Sequence, residues 1–266
     1  MRIAAAPFAR ATVRAYDDLI HVVYALRPLV LIAFAINIVE PLLELLLVGS
    51  FGGMLRVAGR EIILALHVLL LTPVLVAIHR LVVLGEADGR YSLTLANPRT
   101  QLFFGWAFIL TLAARIPRYL VAATVSTAPV YYTGPRPPLA PYADPFVVLI
   151  AAVMAVAIFV FALRISILFP AIASDAREVT WQNALKDTRG HTWYILFMIF
   201  IPMLPFGAMA WMIMKLAETV LPWQAALAVH LVAIGALSTI VSILAAAVAS
   251  RLFVLFGVDL EQPAAR

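Results

Sequence analysis

The stretch from Phe146 to Leu163, FVVLIAAVMAVAIFVFAL, runs for eighteen residues without one charged or hydrogen-bonding side chain. That is too long for a strand. As a helix it nearly matches a bilayer's hydrocarbon core, which is about 30 Å thick and needs roughly 20 residues. Six apolar runs of this kind lie near 29–48, 62–84, 102–123, 146–170, 193–214 and 226–250. They are continuous rather than alternating in polarity, which predicts membrane helices and argues against a membrane β-barrel. Composition agrees, with 64% hydrophobic and 12% charged residues, where a soluble domain is about half apolar and a quarter charged. The expected fold is all-α: a polytopic bundle of six transmembrane helices in three tandem hairpins, with interfacial amphipathic helices.

Charge gives the expected topology. With the N-terminus inside, inner segments hold thirteen of the nineteen Lys and Arg residues, and the outer segments hold Arg56, Arg60, Arg115, Arg118, Arg136 and Lys215. This bias places both termini in the cytoplasm. The net charge of +5 is explained by those loops, so no nucleic-acid partner is expected. Asp17 and Asp18 precede the first run, which is also too long for a signal-peptide core, so that run is expected to remain as an anchor. Residues 1–28 read as a cytoplasmic interfacial segment and 259–266 as a cytoplasmic tail. The proline-rich outer loop 124–145 is expected to be extended.

Function classes narrow quickly. The chain has no cysteine, which excludes disulfides, thiolate metal sites and cysteine nucleophiles. It carries no phosphate-binding loop, dinucleotide fingerprint or nucleophile elbow. Its polar segments are too short for a catalytic domain. No catalytic residue, cofactor or metal is expected.

Three phrases repeat: HRLVVLG (79–85), LRISILF (163–169) and SRLFVLF (250–256), with Arg80, Arg164 and Arg251 spaced by 84 and 87 residues. Each arginine falls at the inner end of an even-numbered run, and apolar residues continue past it. Arg27, Arg99 and Arg189 stand before the outward runs. Tandem hairpins would produce this pattern, and so would the positive-inside rule acting on leucine-rich text. An arginine inside the run must snorkel. Arg80, Arg164 and Arg251 are therefore topological anchors or contacts to lipid headgroups, where the guanidinium fork matches phosphate. A third option is pairing with acids of the interfacial helices, such as Asp17, Asp18 or Asp187. Residues 8–27 show amphipathic periodicity, and Thr180 to Arg189 repeat the theme.

Asn37, Glu40 and Glu44 share one face of the first run. Two central carboxylates cost about 5–7 kcal/mol on an insertion scale, roughly what the fourteen Leu, Ile, Val and Phe residues of 29–48 return. The acids must therefore be paired, protonated, or near the outer interface. Partners of similar depth are His67, Arg115, Arg118, Lys215 and His230. Asn37, Glu40, Glu44, His67 and His230 thus form a candidate intramembrane polar or proton site, with structural ion pairing as the alternative. The small residues Gly235, Ala236, Ser238, Thr239, Ser242 and Ala245–Ala247 suit close helix packing.

The stretch LRISILFPAIASDAREVTWQNALKDTRGHTWYILF (163–197) resembles bacterial inner-membrane proteins of the YciC type and the membrane domains attached to some glycerophosphoryl diester phosphodiesterases. Arg164, Pro170, Ala171, Ile172, Trp181, Ala184, Thr188, Arg189, Gly190 and Trp193 carry the likeness. The phosphodiesterase domain is absent. The resemblance implies a multi-pass inner-membrane protein of undefined role, and arginine-rich, lysine-poor usage fits a GC-rich bacterium. The leading expectation is a non-enzymatic protein supporting transport or envelope lipid organisation. Its expected partners are membrane lipids, anionic ones among them, together with a second copy or a membrane complex. A proton-coupled transporter using Glu40 or Glu44 and a scaffold subunit are the alternatives.

Overall fold

The computed structural model describes residues 8–47, 53–126 and 144–260; most of the outer loop 124–145 and of the tail 259–266 lies outside them. The described residues form helices and no strand. An amphipathic helix α1 (Phe8–Ala25) leads through Leu26 into α2 (Arg27–Leu47), followed by α3 (Gly53–Leu84), α4 (Pro98–Ser126) and α5 (Pro145–Ile165). Then come the short α6 (Leu168–Ala173) and α7 (Trp181–Asp187), α8 (Thr192–Phe200), α9 (Leu204–Val220) and α10 (Trp223–Phe256). Six segments are long and apolar enough to span a membrane: Arg27–Leu46, Leu55–Leu84, Pro98–Ala123, Pro145–Ala173, Thr192–Val220 and Trp223–Phe256. They extend past the runs read from the sequence, because helices continue into the headgroup layers beyond their apolar centres.

Local chemistry sets the breaks. Asp144 caps α5 by accepting the Phe146 N–H ahead of Pro145, and Thr180 caps α7 by accepting the Asn183 N–H. Pro170 offers no N–H to the Ser166 carbonyl, and the fourth span bends there between α5 and α6. Pro202 and Pro205 convert the middle of the fifth span into a 3-10 turn, Ile201–Met203. α3 ends at Gly85, whose φ of +73° lets its N–H close on the Leu81 carbonyl. Residues 85–97 then contain no helix, so the second interfacial segment differs from the first and third. Gly85, Gly89 and the turn before Pro98 account for that difference.

Consecutive spans pack as pairs, α2 with α3, α4 with α5, and α9 with α10, while α10 also lies broadly along α2 and α3. The core is concentrated toward the end of the bundle that carries α1, α6 and α7, where Leu26, Leu29, Ile78, Phe103, Leu168, Ile195, Leu252 and Phe253 are completely buried. Trp193 and Trp223 are exposed in the first turns of the fifth and sixth spans, as interfacial aromatics are. At the α2–α10 crossing a Cβ on Gly235 would stand 2.4 Å from Ile38 Cγ1. Glycine permits this approach, and one turn away Asn37 donates to Thr239 Oγ1 at 3.0 Å.

α1 has three faces. Ala15, Asp18, Leu19 and Val22 are buried against the bundle, Arg10, Arg14, Asp17 and His21 are exposed on a polar strip, and Val13, Ile20 and Tyr24 are exposed on an apolar strip. Such a helix fits the boundary between bundle, water and lipid. Tyr16 Oη donates to the Pro202 carbonyl at 3.1 Å, tying α1 to the broken fifth span.

The segment after α10 closes over α7. Asp187 accepts the N–H groups of Asp259 and Leu260 at 3.0–3.2 Å, and Lys186 meets Asp259 at 2.7 Å. Burial, the largest influence, pushes the Asp187 carboxyl above its ordinary value of 3.8. The neutral acid is thus the better accommodated form. Its contribution to stability is complete below that value and declines as pH rises through the raised one. An amide keeps the acceptor without the charge, so Asp187→Asn is expected to shift unfolding by less than about 0.5 kcal/mol. Asp187→Ala strands two backbone donors and should lose about 1–2 kcal/mol; chemical denaturation of the purified protein compares the two.

Candidate functional site

The three repeated arginines hold interfacial pieces onto spans. From α3, Arg80 Nη1 donates to the Ala173 carbonyl at 2.9 Å, at the end of α6, while its Nε and Nη2 meet Glu86. From α5, Arg164 Nη2 donates to the Leu185 carbonyl of α7. From α10, Arg251 Nε and Nη2 make a fork with both Asp18 oxygens on α1, each at 2.7 Å. Two of the three thus bind carbonyls near the C-terminal ends of short helices, where orphan acceptors collect. The third takes one of the acids that the sequence offered. Arg80 and Arg251 also start from one level, because the residues before them, His79 and Ser250, face each other with Nδ1 2.7 Å from Oγ.

Beside Arg80 a second cluster forms. Asp175 bridges Arg80, at 3.4 Å, and Arg99, whose Nε lies 2.8 Å away. Asp175 has φ +57°, and around it Ala176 N–H closes on the Ala171 carbonyl. It occupies the left-handed position that ends a helix, where glycine is usual and aspartate is tolerated. A hollow of about 350 Å³ opens here, lined by Arg80, Arg90, Arg99, Glu86, Asp88 and Asn97 among others. Its three guanidinium groups are matched by Glu86, Asp88 and the adjacent Asp175, so the cluster is close to neutral.

The end of the bundle away from α1, α6 and α7 holds the other polar site. Glu40 Oε2 stands 3.1 Å from His67 Nδ1, at ion-pair distance although outside hydrogen-bond alignment. Glu44 faces Arg60 at 3.7 Å. Arg115 donates to Glu61 at 3.1 Å, and Tyr119 Oη donates to the same oxygen. Glu61 Oε2 is buried without a partner. Three spans thus bring together Glu40, Glu44, Arg60, Glu61, His67, Arg115 and Tyr119. Helix rise puts Glu40 and His67 about 10 Å deeper than Arg60 and Glu61. Asn37 and Thr239 lie one turn deeper still, and beyond them Leu29, Val74, Ile78 and Leu244 close an apolar barrier before His79.

Of the sequence candidates, Glu40 and His67 come together, Asn37 binds Thr239, and Glu44 takes Arg60. His230 goes elsewhere: its Nε2 lies 3.1 Å from Glu218, which also binds Lys215 at 2.6 Å. Arg118 is exposed. Sequence reasoning missed Glu61, Asp175, His79 and Ser250. A signal existed for the last two, since two of the three repeated phrases place a polar residue directly before the arginine. Among the described residues no three His, Asp or Glu side chains converge as a metal would require.

Fold and sites define an integral, multi-pass, all-helical membrane protein. No protein-family model matches the chain, and no curated protein or solved structure matches it.

Proposed function

We propose that this is a non-catalytic protein of a bacterial inner membrane, with both termini in the cytoplasm, that gathers anionic lipid at its inner face in support of transport or envelope lipid organisation. The YciC-type likeness of 163–197 points the same way. The observation that carries the reading is the polar strip of α1. Arg10 and Arg14 are exposed there without an acceptor among the described residues, one face away from the exposed Val13, Ile20 and Tyr24. Arg27, at the start of α2, adds a third guanidinium without an acceptor among the described residues. Free guanidinium groups beside lipid-directed side chains suit phosphate oxygens. Arg80, Arg164 and Arg251 contribute less directly: protein acceptors take all three nitrogens of Arg80, Nε and Nη2 of Arg251 and Nη2 of Arg164, whose Nε is buried without a partner; Nη1 of Arg164 and of Arg251 remains open to a headgroup. In nanodiscs of mixed phosphatidylglycerol and phosphatidylcholine, the double change Arg10→Gln and Arg14→Gln is expected to lower retained phosphatidylglycerol several-fold by native mass spectrometry. Unchanged retention removes the reading.

The Glu40–His67 pair favours a second reading, proton-coupled transport. A carboxylate and an imidazole held close but misaligned, inside a span, can exchange a proton without rebuilding the helices around them. Infrared titration tests it. The wild-type protein should show a carboxylic-acid band that responds to proton uptake and is lost in Glu40→Gln; identical spectra for the two proteins exclude Glu40 as the carrier.

A further inference from the structure

Between α4 and α10, which otherwise hardly touch, lies a cleft of about 360 Å³. One wall is aromatic, with Phe103 and Phe169 edge to face at 5.0 Å and His79 tilted on Phe103 at 5.7 Å. The opposite wall, from α10, is small and flat, built from Ser242, Ala245, Ala246 and Ala249. No carboxylate, lysine or arginine lines it. At about 30 Å³ per small group, the space suits roughly a dozen non-hydrogen atoms shaped as a slab.

Two polar groups in this slot lack partners. Ser250 Oγ donates to the Ala246 carbonyl at 2.9 Å, so toward His79 it can only accept. His79 Nδ1 therefore carries the proton, and Nε2 is the ring's acceptor. Ser250 is not part of the cleft lining while His79 is, so the Nδ1 edge is turned away from the cleft. Nε2 has no partner among the described residues, in a side chain only 3% exposed. Ser166 Oγ, also lining the cleft, is buried without a partner. Unmade hydrogen bonds in apolar surroundings are costly. An acyl chain would fill the volume and leave both unmade.

We propose that this cleft binds the neutral phenolic ring of a membrane-dissolved hydroquinone, with one ring hydroxyl donating to His79 Nε2 and Ser166 Oγ bonding a ring oxygen. The ring lies between the phenylalanine pair and the alanine wall, where aromatic contacts favour it over a flexible chain. Its apolar tail leaves between α4 and α10 into lipid.

The test uses the full chain in nanodiscs, titrated calorimetrically with a decyl-substituted hydroquinone, its bis-methyl ether and decanol. The hydroquinone should bind at one per chain, and the ether, which keeps the shape and loses the donors, about tenfold more weakly. Decanol, with a hydroxyl but no ring, should also be at least tenfold weaker. Ala245→Leu, which narrows the slot without touching either polar group, should abolish hydroquinone binding. Equal affinity for ether and hydroquinone overturns the hydrogen-bond assignment, equal affinity for decanol overturns the ring, and full binding by the folded Ala245→Leu protein overturns the location. The probe comparisons on the wild-type chain stand even if that variant does not fold.

Discussion

Arg251→Gln is expected to destabilise the protein by about 2–4 kcal/mol and Asp18→Asn by only about 1–2 kcal/mol, although both break the same pair. The asymmetry follows from burial. The Asp18 side chain is 11% exposed, whereas that of Arg251 is 44% exposed. Losing the guanidinium strands a carboxylate among Ala15, Leu19 and Val22, while losing the carboxylate frees a guanidinium to reach water or a headgroup. The double variant should lose less than the sum of the two single losses, and less than Arg251→Gln alone, because neutral side chains at both positions leave no stranded charge. Equilibrium unfolding in mixed micelles gives the three values. Proteolysis of α1 should accelerate in Arg251→Gln before the spans unfold, since the fork at 2.7 Å is its main polar tie to α10. Equal losses from the two single variants would mean that the pair sits in water and clamps nothing.

The second large effect is expected at Gly235. A methyl there would meet Ile38 Cγ1 at 2.4 Å, and Ile38 is β-branched, so it has few rotamers in which to yield. Gly235→Ala should lose about 1–3 kcal/mol through forced separation of α2 and α10. Gly235→Leu should also break the Asn37–Thr239 bond next to it, and the chain should fail to reach its fold. Hydrophobic force between helices is weak in lipid, so close approach and buried polar contacts decide the packing. Ile38→Ala in the Gly235→Ala background should recover part of the loss, because it removes the atoms in conflict. No recovery would show that the glycine serves another purpose.

The spans were legible because the bilayer imposes a length and a polarity on each, and both are written in consecutive residues. The amphipathic α1 was legible for a similar reason, since its period lies within eighteen residues. Glu40 and His67 were legible as partners by depth alone. Rotation about each helix axis was not. Hydropathy does not say which way Glu61 turns, and its partners Arg115 and Tyr119 lie more than fifty residues away. His230 was grouped with Glu40 by depth, yet a tight turn between α9 and α10 brings Glu218 nearer. For the repeated arginines the sequence offered lipid headgroups or interfacial acids, and Arg251 takes the acid Asp18, whereas Arg80 and Arg164 reach carbonyls of α6 and α7. Those short helices could not be placed before the proline bend of the fourth span was known. Asp175 is the hardest case, because its left-handed backbone arises only from how α6 terminates.

A topology of six crossings leaves every arginine-held interfacial segment on one side. The chain has no cysteine, so single cysteines can be placed at positions 10, 90, 177, 56 and 218 and labelled from each face of sealed vesicles. Positions 10, 90 and 177 should react from the same face, and 56 and 218 only from the opposite one. Reaction of 90 and 177 from opposite faces, or of 10 together with 56, would contradict it.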